Sequence, residues 1–228
     1  MNRLPYVTKN LLAINILMFL ATVVMERQGT NLTSLFGLHF FMASDFAPYQ
    51  LVTYMFMHGG FSHLFFNMFA LYMFGGLLER VWGSNRFLVF YMVCGVGAGL
   101  LQEAVQYVEY VQLGLNDMTF VPIKANTYMP VDIYLNLRYT TVGASGAIYG
   151  ILLGFAMSFP NEKMFVFPLP FPIKAKFFVL GYAVIELLLG VANTNDGVAH
   201  YAHLGGMLFG VVLILYWRKK HKIGGPYV

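Results

Sequence analysis

Charged residues are scarce in this chain. Asp, Glu, Lys and Arg make up 11% of its 228 residues, whereas soluble globular domains carry about 25%. Hydrophobic residues make up 58%, and the mean hydropathy is +0.64. This balance lies outside the range of ordinary soluble domains and indicates a protein that lies in a membrane.

Cysteine is almost absent. The single Cys94 lies inside an apolar run, so the chain has neither a disulfide framework nor a Cys-x-x-Cys metal pattern. We expect Cys94 to be a small core residue, and we assign no cofactor and no metal to the chain. The net charge of +4 is small, and the basic residues lie at the ends of apolar runs, so we expect no nucleic-acid partner.

Long apolar runs rich in Phe, Tyr and Met are what the chain does contain. Because they are continuous and do not alternate, they indicate membrane helices and not the strands of a barrel. We predict an all-α fold, a polytopic bundle of six transmembrane helices forming a single domain over residues 1–228. The predicted spans are 11–25, 61–78, 86–105, 141–159, 176–191 and 200–217, with an interfacial loop at 27–57 and a long outer loop at 109–139.

The basic residues orient these spans. With the N-terminus inside, eleven of the fourteen Lys and Arg residues fall on the cytoplasmic side, and only Arg27, Lys124 and Arg138 fall outside. The excess of positive charge in cytoplasmic segments therefore predicts that both termini are cytoplasmic.

This topology places four polar residues at one depth. Ser145, His203 and the pair His63 and Asn67 each lie a few residues inside the outer end of a span. At about 1.5 Å per residue, all four lie within roughly 10 Å of the outer interface. Polar groups in a span have few partners other than the protein itself, so a shared site is expected.

Ser145 and His203 are predicted to be a nucleophile and its general base. A serine hydroxyl needs a base to take its proton, and imidazole titrates near working pH. Tyr149 lies one turn deeper than Ser145, where its ring can lie against the imidazole. Small residues that allow close helix approach recur every four positions on both spans, at Gly146, Gly150 and Gly154 and at Ala202, Gly206 and Gly210.

Donors for an oxyanion are predicted on the second span. His63 and Asn67 are four residues apart, so they project from one helix face at the right depth. The backbone N–H of Ser145, near a helix N-terminus, is a third donor. His58 lies just outside the membrane and is expected to support this turn.

Three segments carry a family resemblance. HGGFSHLFFNM, GASG and AHLGGMLFG, in this order, resemble the His-xxxx-His-xxx-Asn, Gly-x-Ser-Gly and Ala-His-xx-Gly-xxx-Gly motifs of rhomboid intramembrane serine proteases, with PYQLVTYMFMH and FPIKAK as further similarities. The resemblance covers about 48–210. It implies a Ser145–His203 dyad without an aspartate, oxyanion binding by His63 and Asn67, supporting positions at Gly143 and Gly206, and cleavage of transmembrane protein substrates near small residues.

The chain departs from the family pattern in its first loop. Where the family usually has Trp-Arg, this chain has Tyr49-Gln50, so the arginine expected to brace that loop is missing. Loop 109–139 is also longer than in minimal family members. We expect an integral protein of the bacterial inner membrane, surrounded by lipid, with a site that opens to the outer side.

Two other functions remain open from the residues alone. Glu103 and Glu186 lie inside predicted spans, and embedded acids are typical of a proton-coupled transporter that uses His and Glu relays. A catalytically inactive rhomboid-like binding protein is the second alternative. His200 and His203 have metal-ligand spacing, but with no carboxylate or thiolate expected nearby they predict a poor zinc site.

Overall fold

The structure is a computed structural model that describes residues 4–165, 171–192 and 197–220. The loop residues 193–196 and the tail 221–228, both used to predict topology, lie outside the described residues. The α-helices are α1 Tyr6–Arg27, α2 Leu32–Phe36, α3 Gln50–Thr53, α4 Phe61–Ala70, α5 Gly76–Trp82, α6 Ser84–Gln112, α7 Val131–Arg138, α8 Ser145–Ser158, α9 Ala175–Ala192 and α10 His200–Lys219. A π-helical turn at Leu71–Gly75 joins α4 to α5, and 3-10 turns cover Tyr54–Phe56 and Leu115–Asp117.

Two short antiparallel hairpins accompany the helices. β1 Phe120–Lys124 pairs with β2 Thr127–Pro130, and β3 Lys163–Met164 pairs with β4 Ile173–Lys174. The predicted all-α fold is therefore correct for the membrane part, and these small strands lie in the connections.

Five helical segments of the described chain are long and apolar enough to cross a membrane. They are Tyr6–Arg27, Phe61–Trp82, Ser84–Gln112, Ala175–Ala192 and His200–Lys219. Each contains or closely matches one of the predicted spans. The protein is therefore an integral membrane protein built from a helical bundle.

The predicted span at 141–159 is a shorter helix. α8 has 14 residues, which at about 1.5 Å each is roughly 21 Å, less than the ~30 Å of a hydrocarbon core. Residues 141–144 are not helical, because Thr141 pairs with Leu38 in a β-bridge and Gly143 has φ 128°. α8 therefore begins four residues after the predicted start of the span, with Ser145 as its first residue.

α6, α8 and α10 form the centre of the bundle. A Cβ on Gly150 would lie 2.5 Å from Cys94 Sγ and 3.0 Å from the Gly206 carbonyl oxygen. Gly146 and Gly206 meet still more closely, so the predicted contact between the two small-residue faces is present there. Cys94 is fully buried, as predicted.

The ends of the two faces that lie farther from Ser145 and His203 have other neighbours. Gly154 packs against Trp82 and Leu78, and Gly210 packs against Phe90 and Cys94. The contact between α8 and α10 is therefore closest at the end that carries Ser145 and His203.

Gln50 braces the first loop in place of the missing arginine. It is 1% exposed. Its Oε1 accepts from the backbone N–H groups of Ala47 at 3.1 Å and His39 at 3.3 Å, and its Nε2 donates to the carbonyls of Asp45 at 2.9 Å and Leu35 at 3.4 Å. An amide supplies both donors and acceptors, so it holds both sides of the loop without a charge.

The long outer loop is folded onto the first loop. α6 continues to Gln112, beyond the predicted end at 105, and is followed by β1, β2 and α7. A small apolar cluster joins these elements to the first loop through Phe40, Ala43, Tyr110, Leu115, Val121, Leu135 and Tyr139. The two loops form one cap at the end of the bundle where α8 begins.

Candidate active site

Ser145 and His203 are in direct contact. The Ser145 Oγ lies 2.8 Å from His203 Nε2, across the interface of α8 and α10. His203 is 7% exposed. A hydroxyl that donates to an imidazole nitrogen at this distance is placed to give up its proton to that nitrogen.

Tyr149 lies against the imidazole of His203, as the helical spacing predicted. The two rings are stacked, with centroids 4.1 Å apart and planes 7° apart. Because Tyr149 is one turn from Ser145 on α8, the same helix carries both the hydroxyl and the surface that fixes the imidazole plane.

Gly143 and His63 lie on the other side of Ser145. A Cβ on Gly143 would lie 2.7 Å from His63 Cε1 and 3.5 Å from Ser145 Oγ. With φ 128°, Gly143 also has a backbone conformation that L side chains rarely adopt. The absence of a side chain at Gly143 therefore leaves space for the His63 ring beside Ser145.

Asn67 lies one turn deeper than His63 on α4. It is 5% exposed, and among the described residues its Nδ2 has no hydrogen-bond partner. A buried amide donor without a partner is costly, so such groups usually have a ligand or a functional role. As the first residue of α8, Ser145 also has a backbone N–H that lacks an intrahelical partner.

His58 supports His63 from behind. Its ring meets the His63 ring at 5.0 Å between centroids and 65° between planes, and the side chain is 3% exposed. Burial first, and then the neighbouring His63, lower the pKa of His58 from 6.5 to about 4. The imidazole is therefore neutral at physiological pH.

One cavity joins these groups. It has a volume of about 1140 Å³, and its lining includes Ser145, His203, His63, Asn67 and Gly143. Further walls come from α6, from the end of α9 and from the residues around Tyr139. The four polar residues predicted to share a depth therefore share a cavity.

Glu186 on α9 is the site residue that sequence analysis did not assign. Its Oε2 lies 3.0 Å from His203 Nδ1, and it accepts a hydrogen bond from His200 Nδ1 at 2.6 Å. The Tyr149 hydroxyl donates to the other carboxylate oxygen. Glu186 is six residues from the outer end of α9, or about 9 Å. Applying the same depth argument to the fifth span would therefore have identified it.

Glu186, His200 and His203 also form the one group of three possible metal ligands in the described part of the chain, with ligand atoms within 4.8 Å of one another. The expectation that no carboxylate lies near the two histidines is therefore wrong. However, tetrahedral zinc with bonds of about 2.0–2.2 Å keeps its ligand atoms roughly 3.3–3.5 Å apart. The 2.6 Å between Glu186 Oε2 and His200 Nδ1 fits a shared proton better than a shared metal.

Comparison with known proteins finds one family model and several related sequences. A family model described as "Rhomboid domain" matches residues 45–220. "Rhomboid protease AarA" of Providencia stuartii is 26% identical over 95% of this chain and 74% of its own length. "Rhomboid-like protein 11, chloroplastic" of Arabidopsis thaliana is 29% identical over 93% of this chain and 67% of its own length. "Rhomboid protease GluP" of Bacillus subtilis is 29% identical over 71% of this chain, but this covers 24% of that longer protein.

The match begins in the first loop, before Gln50, and ends beyond α10. It therefore contains every residue of the cavity site described above, from His58 to His203, and far more than half of the chain. This chain belongs to the rhomboid family.

Proposed function

We propose that the protein is an intramembrane serine protease that hydrolyses peptide bonds in or near the transmembrane segments of membrane proteins. The observation that carries this proposal is the 2.8 Å contact between Ser145 Oγ and His203 Nε2 at the wall of a cavity large enough for a peptide. Relatives that are named as rhomboid proteases support the same class of activity.

In the first step, the Ser145 Oγ attacks the carbonyl carbon of the substrate, and its proton passes to His203 Nε2. The stacked ring of Tyr149 holds the imidazole plane during this transfer. The new C–O bond turns the carbonyl oxygen into an oxyanion. His63, the Asn67 amide and the Ser145 backbone N–H are the proposed donors to that oxyanion.

In the second step, the C–N bond breaks and His203 Nε2 gives its proton to the leaving amine. A water molecule then enters the cavity, His203 takes one of its protons, and the resulting hydroxide attacks the acyl ester. The ester bond breaks, the acid product leaves, and the proton on His203 returns to Ser145 Oγ. Atoms and charges balance over the cycle, and no cofactor is needed.

A transmembrane protein is the proposed substrate because the cavity lies among membrane helices. A peptide bond inside a regular helix is closed off by its own hydrogen bonds, so the segment unwinds before it reaches Ser145. The proposed preference for small residues near the cleaved bond fits a cavity whose lining includes Gly143, Gly146 and Gly190. The lipid bilayer is the second partner.

The proposed orientation has both termini in the cytoplasm and the site open to the outer side of a bacterial inner membrane. The ring centroids of Trp82 and Trp217 are 6.1 Å apart, and Arg218 Nη2 donates to the Met157 carbonyl at 2.7 Å. The basic ends of these segments therefore lie together at one end of the bundle. Ser145 is at the opposite end of α8. An excess of basic residues marks the cytoplasmic end.

Cleavage by the purified protein tests the proposal. In detergent or in proteoliposomes, a reporter with a single transmembrane segment is expected to be cut by the wild type and not by Ser145→Ala. Ser158→Ala is the matched control, because it makes the same change at the other end of the same helix. Cleavage that persists in Ser145→Ala contradicts the proposal.

The alternatives give different results in the same assay. An inactive binding protein would retain the reporter without cutting it. A metal-dependent protease would lose activity in EDTA, whereas we expect EDTA to leave cleavage unchanged. The two acids that suggested a transporter are both tied to protein groups, since Glu103 accepts from the Phe41 N–H at 2.8 Å and Glu186 binds Tyr149 and His200.

A further inference from the structure

Glu186 lies behind His203, on the side away from Ser145. The imidazole is thus placed between a hydroxyl and a carboxylate: Nε2 is 2.8 Å from Ser145 Oγ, and Nδ1 is 3.0 Å from Glu186 Oε2. The contact at Nδ1 is an ion-pair contact, and Nδ1 makes no hydrogen bond to any other described residue. The effect of Glu186 on His203 therefore depends on the negative charge of the carboxylate and on its distance from the imidazole.

The carboxylate of Glu186 is held by two other donors. His200 Nδ1 approaches Oε2 at 2.6 Å, and the Tyr149 hydroxyl donates to Oε1. Glu186 is 5% exposed, and a carboxylate is kept in such a place only when it is hydrogen-bonded or paired. Tyr149 therefore touches His203 with its ring and Glu186 with its hydroxyl, and this fixes the two relative to each other.

We propose that Glu186 is a positioning residue for the reaction, which acts through His203. Its negative charge favours the imidazolium that forms when His203 takes the proton of Ser145, and it keeps the proton of neutral His203 on Nδ1, so that Nε2 is free to accept. Neither Glu186 nor Tyr149 is among the residues that line the cavity. This inference rests on the proposed function, because it assigns the serine and histidine roles first.

α9 brings this carboxylate to the site from a helix that is otherwise loosely packed. Only Ala175, Val179 and Glu186 are buried among its described side chains. Most of the helix faces outward, so packing alone does not account for a buried acid on it. The polar cluster with His200 and Tyr149 joins α9 to α8 and α10, alongside the ring contact between Tyr149 and Tyr182.

The test is the effect of Glu186→Gln on turnover. This variant keeps the shape of the side chain and removes its charge. We expect kcat for reporter cleavage to fall about ten- to a hundredfold with KM changed less than about twofold. Glu103→Gln is the matched control, since it makes the same carboxyl-to-amide change at another buried acid of a membrane helix that does not contact the dyad, and it is expected to leave kcat unchanged.

A double-mutant cycle separates positioning from general structural support. In the His203→Ala background, Glu186→Gln is expected to cause no further loss in the rate at which a fluorophosphonate labels the protein, because the group through which Glu186 acts is gone. An equal loss in both backgrounds would overturn the proposal. Equal kcat values for Glu186→Gln and the wild type would also overturn it.

Stability and the underlying activity are checked alongside. If Glu186→Gln does not fold, as judged by its melting temperature in detergent, Tyr149→Phe replaces it. That variant keeps the stacked ring and removes the hydroxyl donor, so a kcat loss of about threefold or more supports the network and no loss contradicts it. If the wild type itself shows no Ser145-dependent cleavage, the proposed function fails, and this outcome is distinct from the failure of the role of Glu186.

Discussion

Gly206 of α10 and Gly146 of α8 are in backbone contact: a Cβ on Gly206 would lie 1.8 Å from the Gly146 carbonyl oxygen. Ser145 directly precedes Gly146 on α8, and His203 lies about one turn before Gly206 on α10. The close crossing of the two helices therefore sets the distance between the proposed nucleophile and its base.

Gly206→Ala is expected to push α10 away from α8. Overpacking of this kind costs about 1–3 kcal/mol of stability, and a shift of about 1 Å in the reacting groups costs about a hundredfold in rate. Reporter cleavage and thermal unfolding in detergent measure the two effects. Gly181→Ala on α9 is the control, since nothing lies within 4 Å of a Cβ there. Wild-type rates in Gly206→Ala would show that the crossing does not set the site.

Asn67→Ala is expected to lower kcat about ten- to a thousandfold if the amide is one of several oxyanion donors. KM is expected to change little, because the oxyanion exists only in the transition state and the intermediate. Steady-state cleavage of the reporter measures both constants. Asn85→Ala, at the opposite end of the bundle, is the control. An unchanged kcat would remove Asn67 from the proposed oxyanion site.

The neutral, buried His58 predicts a pH dependence of stability. Its pKa is 6.5 in the unfolded chain and about 4 in the fold, so between these values the unfolded state binds more protons. The free energy of unfolding is therefore expected to decrease as the pH falls from about 7 to 4, by about 3 kcal/mol for this group, and then to level off.

Comparison with His58→Gln isolates this effect. Other titrating groups are common to both proteins, so the difference between their stability curves reports on His58. The variant is expected to have the shallower curve between pH 7 and 4 in detergent unfolding experiments. Parallel curves would show that His58 is protonated as easily in the folded protein as in the unfolded chain.

Much of the membrane architecture could be predicted from the sequence because lipid imposes simple rules. Continuous apolar runs located five of the long helices, and charge at their ends suggested their direction. The depth argument then brought Ser145, His203, His63 and Asn67 to one place, and the structure places all four around one cavity. Such a prediction works because helical rise converts residue number into depth.

The short α8 could not be predicted in this way. Its composition is as apolar as that of a full span, and the apolar run begins at 141. The helix starts only at Ser145 because Thr141 pairs with Leu38 and Gly143 donates its N–H to the Tyr54 carbonyl at 2.9 Å. Both contacts are with the first loop, so they depend on tertiary structure.

Two polar residues were missed for the same reason. From the sequence, Gln50 was noted only as the residue that stands where the family usually has an arginine. Glu186 was considered only as a possible relay in a transporter. Their partners are distant in sequence, as between Glu186 and Tyr149, or depend on the path of a loop, as for Gln50. Local periodicity does not identify such partners, because a side-chain hydrogen bond leaves no regular spacing.

The central claim is that Ser145 is a nucleophile activated by His203. Labelling of the purified protein with a fluorophosphonate, followed by mass spectrometry of its peptides, tests this most directly, because the reagent reacts with an activated serine and not with an ordinary one. The account predicts a single adduct on Ser145 that forms far more slowly in His203→Ala. A protein that cleaves its reporter but carries no adduct on Ser145, or carries it on another serine, would contradict the account.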